Sequence, residues 1–117
     1  MADPDAGSPA DAPTEPELAV VVGTFHPRPE ARADLAGVLA RYVVLTRRAP
    51  GCRNVDLLVS ATDGAACLVI EKWDGADAAQ AHLDADETVA MARAAVPLLA
   101  ARPSIELYDT ISAHDLH

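Results

Sequence analysis

The chain has 117 residues, half of them hydrophobic and 23% charged, with a formal net charge of -9. That is material for one core, and it excludes two independent domains. No stretch approaches the roughly 18 consecutive apolar residues of a membrane span, and the negative charge disfavours nucleic acid phosphate and anionic membrane surfaces as partners.

Residues 1–17 carry Asp3, Asp5, Asp11, Glu15 and Glu17 with four prolines and no Lys or Arg. This segment has too little apolar surface to offset the entropy of ordering it, so it is expected to be a disordered acidic, Pro-rich tail ahead of a domain over residues 18–117. It also lacks the basic n-region and apolar h-region of a signal peptide, so the expected compartment is cytoplasmic.

Leu18 to Val22 is a short β-branched run closed by Gly23, as expected of a strand buried on both faces. Pro29 then suits the first turn of a helix in which Leu35, Val38, Leu39, Tyr42 and Leu45 recur at three- and four-residue spacing, and Pro50-Gly51 stops it. Two strand-like runs follow, Arg53 to Ser60 and Ala65 to Lys72, with Asp63-Gly64 supplying the turn. Placing Ser60 opposite Ala65 groups Val55, Leu57, Val59, Ala66, Leu68 and Ile70 on one face and Asp56, Leu58, Cys67, Val69, Glu71 and Trp73 on the other. A second helical region begins near Asp77, breaks around Asp84-Ala-Asp86, and resumes with Asp86 as N-cap for Val89, Arg93 and Val96. Pro103 opens a last strand, Ser104 to Ile111.

The order β-α-β-β-α-β predicts an α+β, ferredoxin-like fold with a four-stranded antiparallel sheet and both helical layers on one face. Both faces of the predicted hairpin are substantially apolar while the chain's own helices cover only one. A homodimer with sheets packed face to face is therefore expected.

Cys52 and Cys67 fall at opposite ends of the predicted hairpin, too far apart for a disulfide. No CxxC, HExxH, GxGxxG or GxxxxGK pattern appears, which argues against a structural metal site and against nucleotide chemistry. Trp73, the sole tryptophan, ends the third predicted strand, and His82 lies in the helix that returns from it, so the two can share a pocket between the layers. The plainer reading makes Trp73 a plug in the core and His82 a half-exposed helix residue. Tyr42, Cys67, Arg93 and Tyr108 are further pocket candidates; His26, His114 and His117 are expected on the surface.

The segments Ala49-Pro-Gly-Cys52, Glu71-Lys-Trp73-Asp-Gly and Ala81-His82 resemble the antibiotic biosynthesis monooxygenase family, over residues 18 to 111 in order and spacing. The resemblance implies a dimeric α+β barrel with an apolar cavity in each subunit. It further implies oxidation of a phenol- or quinol-type aromatic by molecular oxygen without metal or flavin, with His82 as proton acceptor and Trp73 lining the pocket. Two alternatives stand beside this: a non-catalytic dimeric barrel that binds a small apolar ligand, and a haem-binding or haem-degrading protein. The haem-degrading branch carries an Asn on the first strand, where this chain reads Leu18 to Thr24 with none.

Overall fold

The computed structural model describes residues 18–112; the expected tail over residues 1–17 lies outside them. The elements are β1 (Ala19–Phe25), α1 (Arg32–Thr46), β2 (Cys52–Val59), β3 (Cys67–Trp73), α2 (Ala76–Leu83), α3 (Asp86–Ala95) and β4 (Ser104–Asp109), with single 3-10 turns before α1 and after α3. They form one antiparallel sheet in the order β2-β3-β1-β4, the α+β, ferredoxin-like arrangement the sequence predicts.

β1 runs through Gly23 to Phe25, so the glycine does not end the strand. Its alternation is one-sided. Ala19, Val21, Gly23 and Phe25 are buried beneath the helices while Val20, Val22 and Thr24 are half-buried on the far face. A Cβ at Gly23 would come within 3.0 Å of the Phe25 ring and 3.1 Å of Ile105 Cδ1, so the position is kept small by its neighbours.

The hairpin register differs from the expected one by a single residue. Val59 pairs with Cys67 and Leu58 with Leu68, because Gly64 and Ala65 both adopt left-handed backbone, with φ of 49° and 63°, and the turn takes up one residue more. Ser60 N then donates to Ala66 O at 2.7 Å, and Ala66 N to Asp63 O at 2.8 Å. In a strand of period two such a slip exchanges the partners of each face. Val55 and Leu57 join Cys67, Val69, Glu71 and Trp73 under the helices, Val59 shares that face but stays exposed at the hairpin end, and Asp56 and Leu58 join Leu68 and Ile70 outside. Cys52 pairs with Trp73 at the other end of the hairpin from Cys67, consistent with two thiols and no bridge.

α1 buries Leu35, Leu39, Tyr42, Val43 and Thr46, with Val43 and Thr46 fully covered where the expected face had Val38 and Leu45, which are only half-buried. Gly51, at φ +81°, follows the helix-ending turn; a Cβ there would meet Ala78 Cβ at 2.7 Å, so the turn that seats α2 requires glycine twice over. The break in the second helical region falls where expected, but Ala85 is the N-cap of α3 and Asp86 its first helical residue. The Ala85 carbonyl accepts from Thr88 N and Val89 N, so the carboxylate of Asp86 acts on the positive end of the helix rather than as a cap.

Candidate functional site

α1 and α2 pack directly on the sheet, whereas α3 packs chiefly on α1. The surfaces of α3 and β1 that face each other carry Ala92, Ala95 and Gly23, which are too small to fill the gap between layers. A cavity of about 360 Å³ results, walled by Val21, Phe25, Val69, Met91 and Leu99 and opening toward Val96, Pro103 and Ile105 at the β4 edge. The polar groups in its lining are the side chains of Tyr42, Glu71 and Thr88.

Glu71 is the residue the sequence reading missed. The alternation of β3 carries its carboxylate inward, where it is 4% exposed. A charge in an apolar layer is costly unless donors are brought to it. Here Tyr42 Oη donates to Glu71 Oε2 at 2.7 Å and Trp73 Nε1 donates to Oε1 at 3.0 Å. The signal was available, because Glu71 and Trp73 sit two apart on one strand and must share a face.

Trp73 is fully buried and stands behind Glu71, outside the cavity lining. His82 is also buried and also outside that lining, its ring centroid 4.7 Å from that of Trp73 and 5.8 Å from that of Tyr42. Its Nε2 lies 3.1 Å from Thr46 Oγ1, its Nδ1 lies 3.9 Å from Glu87 Oε2, and its carbonyl accepts from Thr88 Oγ1 at 2.6 Å. His82, expected to share a pocket with Trp73 and half-exposed only on the plainer reading, is thus buried beside Trp73 in a polar cluster, one layer back from the cavity.

Of the other candidates, Tyr42 lines the cavity. Burial, and then the charge of Glu71, push its phenol well above the ordinary range, with the hydroxyls of Thr46 and Thr88 acting in the opposite sense. It therefore serves as a donor at neutral pH. Cys67 belongs to the neighbouring core, with burial raising its thiol, and it does not line the cavity. Arg93 is exposed on α3, and Tyr108 faces away from the helices, donating to Glu106. Slipping off the expected alternation explains neither; Tyr108 pairs with Val20, whose side chain also points to the open face. Among the described residues no group of three or more His, Cys, Asp or Glu is placed to hold a metal ion, and no helix is long and apolar enough to cross a membrane.

The family model for antibiotic biosynthesis monooxygenase matches residues 18–94, from the start of β1 nearly to the end of α3. A curated relative from Mycobacterium tuberculosis, "Putative monooxygenase Rv0793", is 37% identical over 62 residues, an alignment that spans 53% of this chain and 60% of that protein. Its solved structure superposes with a TM-score of 0.76 at 26% identity, covering 82% of this chain and 97% of that one. A solved protein from Caulobacter crescentus, described as a "putative antibiotic biosynthesis monooxygenase", gives a TM-score of 0.75 at 26% identity over 83% of this chain and 92% of its own. With most of its sequence matched from the first strand through the third helix, the chain belongs to the antibiotic biosynthesis monooxygenase family.

Proposed function

We propose that this protein is a cofactor-independent monooxygenase that oxidises a phenol- or quinol-type aromatic with molecular oxygen in the cavity beneath α3, Glu71 taking the proton. The observation that carries this reading is the pairing of an apolar cavity with one buried carboxylate in its wall, held by Tyr42 and Trp73. Family membership supports monooxygenase chemistry at the level of the family.

The chemistry asks little of the protein. An aromatic ketone with an acidic methylene, such as an anthrone, loses a proton to a carboxylate and becomes an electron-rich enolate that reduces oxygen itself. The methylene becomes a carbonyl holding one oxygen atom, and the other leaves as water with the two methylene hydrogens. The substrate carbon supplies all four electrons, so no external reductant enters the balance. The chain's part is to exclude water, hold the ring plane between β1 and α3, and place Glu71 at the acidic hydrogen. Tyr42 and Trp73 keep that carboxylate in one orientation, which is the role we give Trp73 in place of a pocket wall.

The same reading pairs two chains through the open face of the sheet, where Val20, Val22, Leu68 and Ile70 lie uncovered by any helix. Oxygen uptake with a panel of anthrones and hydroquinones tests the activity. The expected result is one oxygen molecule consumed per anthrone and loss of turnover in Glu71→Gln. Binding of these aromatics without oxygen consumption would instead mark a non-catalytic ligand carrier, and a Soret shift on haem titration a haem protein.

A further inference from the structure

The polar groups do not stop at the cavity wall. Tyr42 Oη is bonded to Glu71, Thr46 is buried one turn further along the same face of α1, and Thr46 Oγ1 is 3.1 Å from His82 Nε2, whose ring centroid lies 5.8 Å from that of Tyr42. On the far side of the ring, His82 Nδ1 faces Glu87 Oε2 at 3.9 Å. Glu71 and Tyr42 line the inner cavity. Glu87 lines a separate outer groove, between the end of α1 and the start of α3, together with Leu45, Arg48 and Asp86. A file of five side chains, all buried except Glu87, therefore runs from one to the other.

We propose that Tyr42, Thr46 and His82 form a proton path that carries the proton accepted by Glu71 out to Glu87 and bulk water. The inference rests on the monooxygenase reading of the cavity, because a carboxylate that takes a proton from a substrate filling the cavity must lose it again before the next substrate. Protonated Glu71 donates to Tyr42 Oη, the phenol proton passes to Thr46 Oγ1, and the threonine proton passes to His82 Nε2. The imidazole releases its Nδ1 proton toward Glu87. Each hydroxyl gains one proton and gives up one; rotation of the hydroxyls and exchange of the ring proton with solvent restore the starting state. The groups around the imidazole suit this traffic: Trp73 from β3 lies against it with the rings tilted by 37°, Tyr42 and Thr46 approach from α1, and Glu87 from α3 balances the transient charge. A buried histidine with a hydroxyl on one nitrogen and a carboxylate toward the other is oriented for transfer, whereas a packing residue needs neither. In this role His82 acts through Glu71 and does not touch substrate.

The test separates proton uptake from proton release. The full-length chain is mixed anaerobically with an anthrone in weak buffer containing a pH indicator, and the coloured enolate and the released proton are followed together in a stopped-flow instrument. In the wild type both are expected to appear in step. In Thr46→Val and His82→Ala the enolate forms while proton release lags by about tenfold or more, imidazole in solution restores His82→Ala, and Thr46→Ser keeps the wild-type rate. Release that stays in step with the enolate in Thr46→Val, or failure of imidazole to restore His82→Ala, overturns the path and leaves the reading of the cavity standing. A wild type that forms no enolate and consumes no oxygen overturns that reading and the path with it. Should Thr46→Val fail to fold, His82→Ala with and without imidazole decides the matter alone.

Discussion

The two faces of the sheet are built from the same kind of strand and come to opposite ends. Beneath the helices, Val21, Val55, Val69 and Trp73 are almost fully buried, and the one carboxylate among them, Glu71, has a donor on each oxygen. On the open face, Val20, Val22, Leu68 and Ile70 reach only half-burial, and Leu58 and Tyr108 remain about half exposed. The covered face is where the chain completes its own environment, so an acidic group can be held there at fixed geometry. The open face is apolar without being covered by any helix of the chain, which is the observation behind the proposed pairing of two chains.

The sharpest break in this comparison comes from Glu71. Glu71→Gln keeps the shape of the covered face but removes the proton acceptor of the proposed reaction, so oxygen uptake is expected to fall by about 10²–10⁴-fold. Its amide offers a donor where the carboxylate accepted one, and urea unfolding should show a loss of ~1–3 kcal/mol besides.

Trp73→Ala acts on the same face through packing. Removing a fully buried indole leaves a void and frees Glu71 Oε1 of its donor, so a destabilisation of ~3–5 kcal/mol is expected in urea unfolding. A change below ~1 kcal/mol would mean that the covered face is far softer than its burial suggests.

On the open face, Ile70→Asp puts a charge where two sheets would meet. The wild type is expected to sediment at twice the chain mass and the variant at the chain mass, with the fold of the single chain retained; a monomeric wild type would remove the dimer from the comparison altogether.

The smallest effect sharpens the role of Tyr42. The folded chain holds its phenol protonated to higher pH than the unfolded chain does, so its contribution is fully present below the ordinary tyrosine value of about 10 and is lost as pH rises above it. The unfolded state then binds fewer protons than the folded one, and stability falls with pH. Unfolding midpoints at about pH 9 and about pH 11 should therefore converge for Tyr42→Phe and the wild type, the variant losing ~1 kcal/mol of hydrogen bonding at the lower pH and less at the higher.

Much of this was legible in the residues themselves. The periodicity of Leu35 to Leu45, the Pro and Gly punctuation, and the alternation of Cys67 to Trp73 are local properties, each decided within a few residues of chain. They were enough for the element order, for the sheet with helices on one side, and for placing Glu71 and Trp73 on one face, although the weight of that last point lay with the tryptophan and its returning histidine. Tertiary structure decided the rest. The hairpin register turned on Ala65 taking a left-handed conformation that Asp63-Gly64 alone does not specify. The cavity arose from α3 standing off the sheet over Gly23, Ala92 and Ala95. The bonds that define the site join residues 29 positions apart, from Tyr42 to Glu71, and 36 apart, from Thr46 to His82. Local sequence states which side of its own element a side chain takes, but which distant group it then meets depends on how the layers settle against one another, and a shift of one residue or one missing methyl group changes that answer.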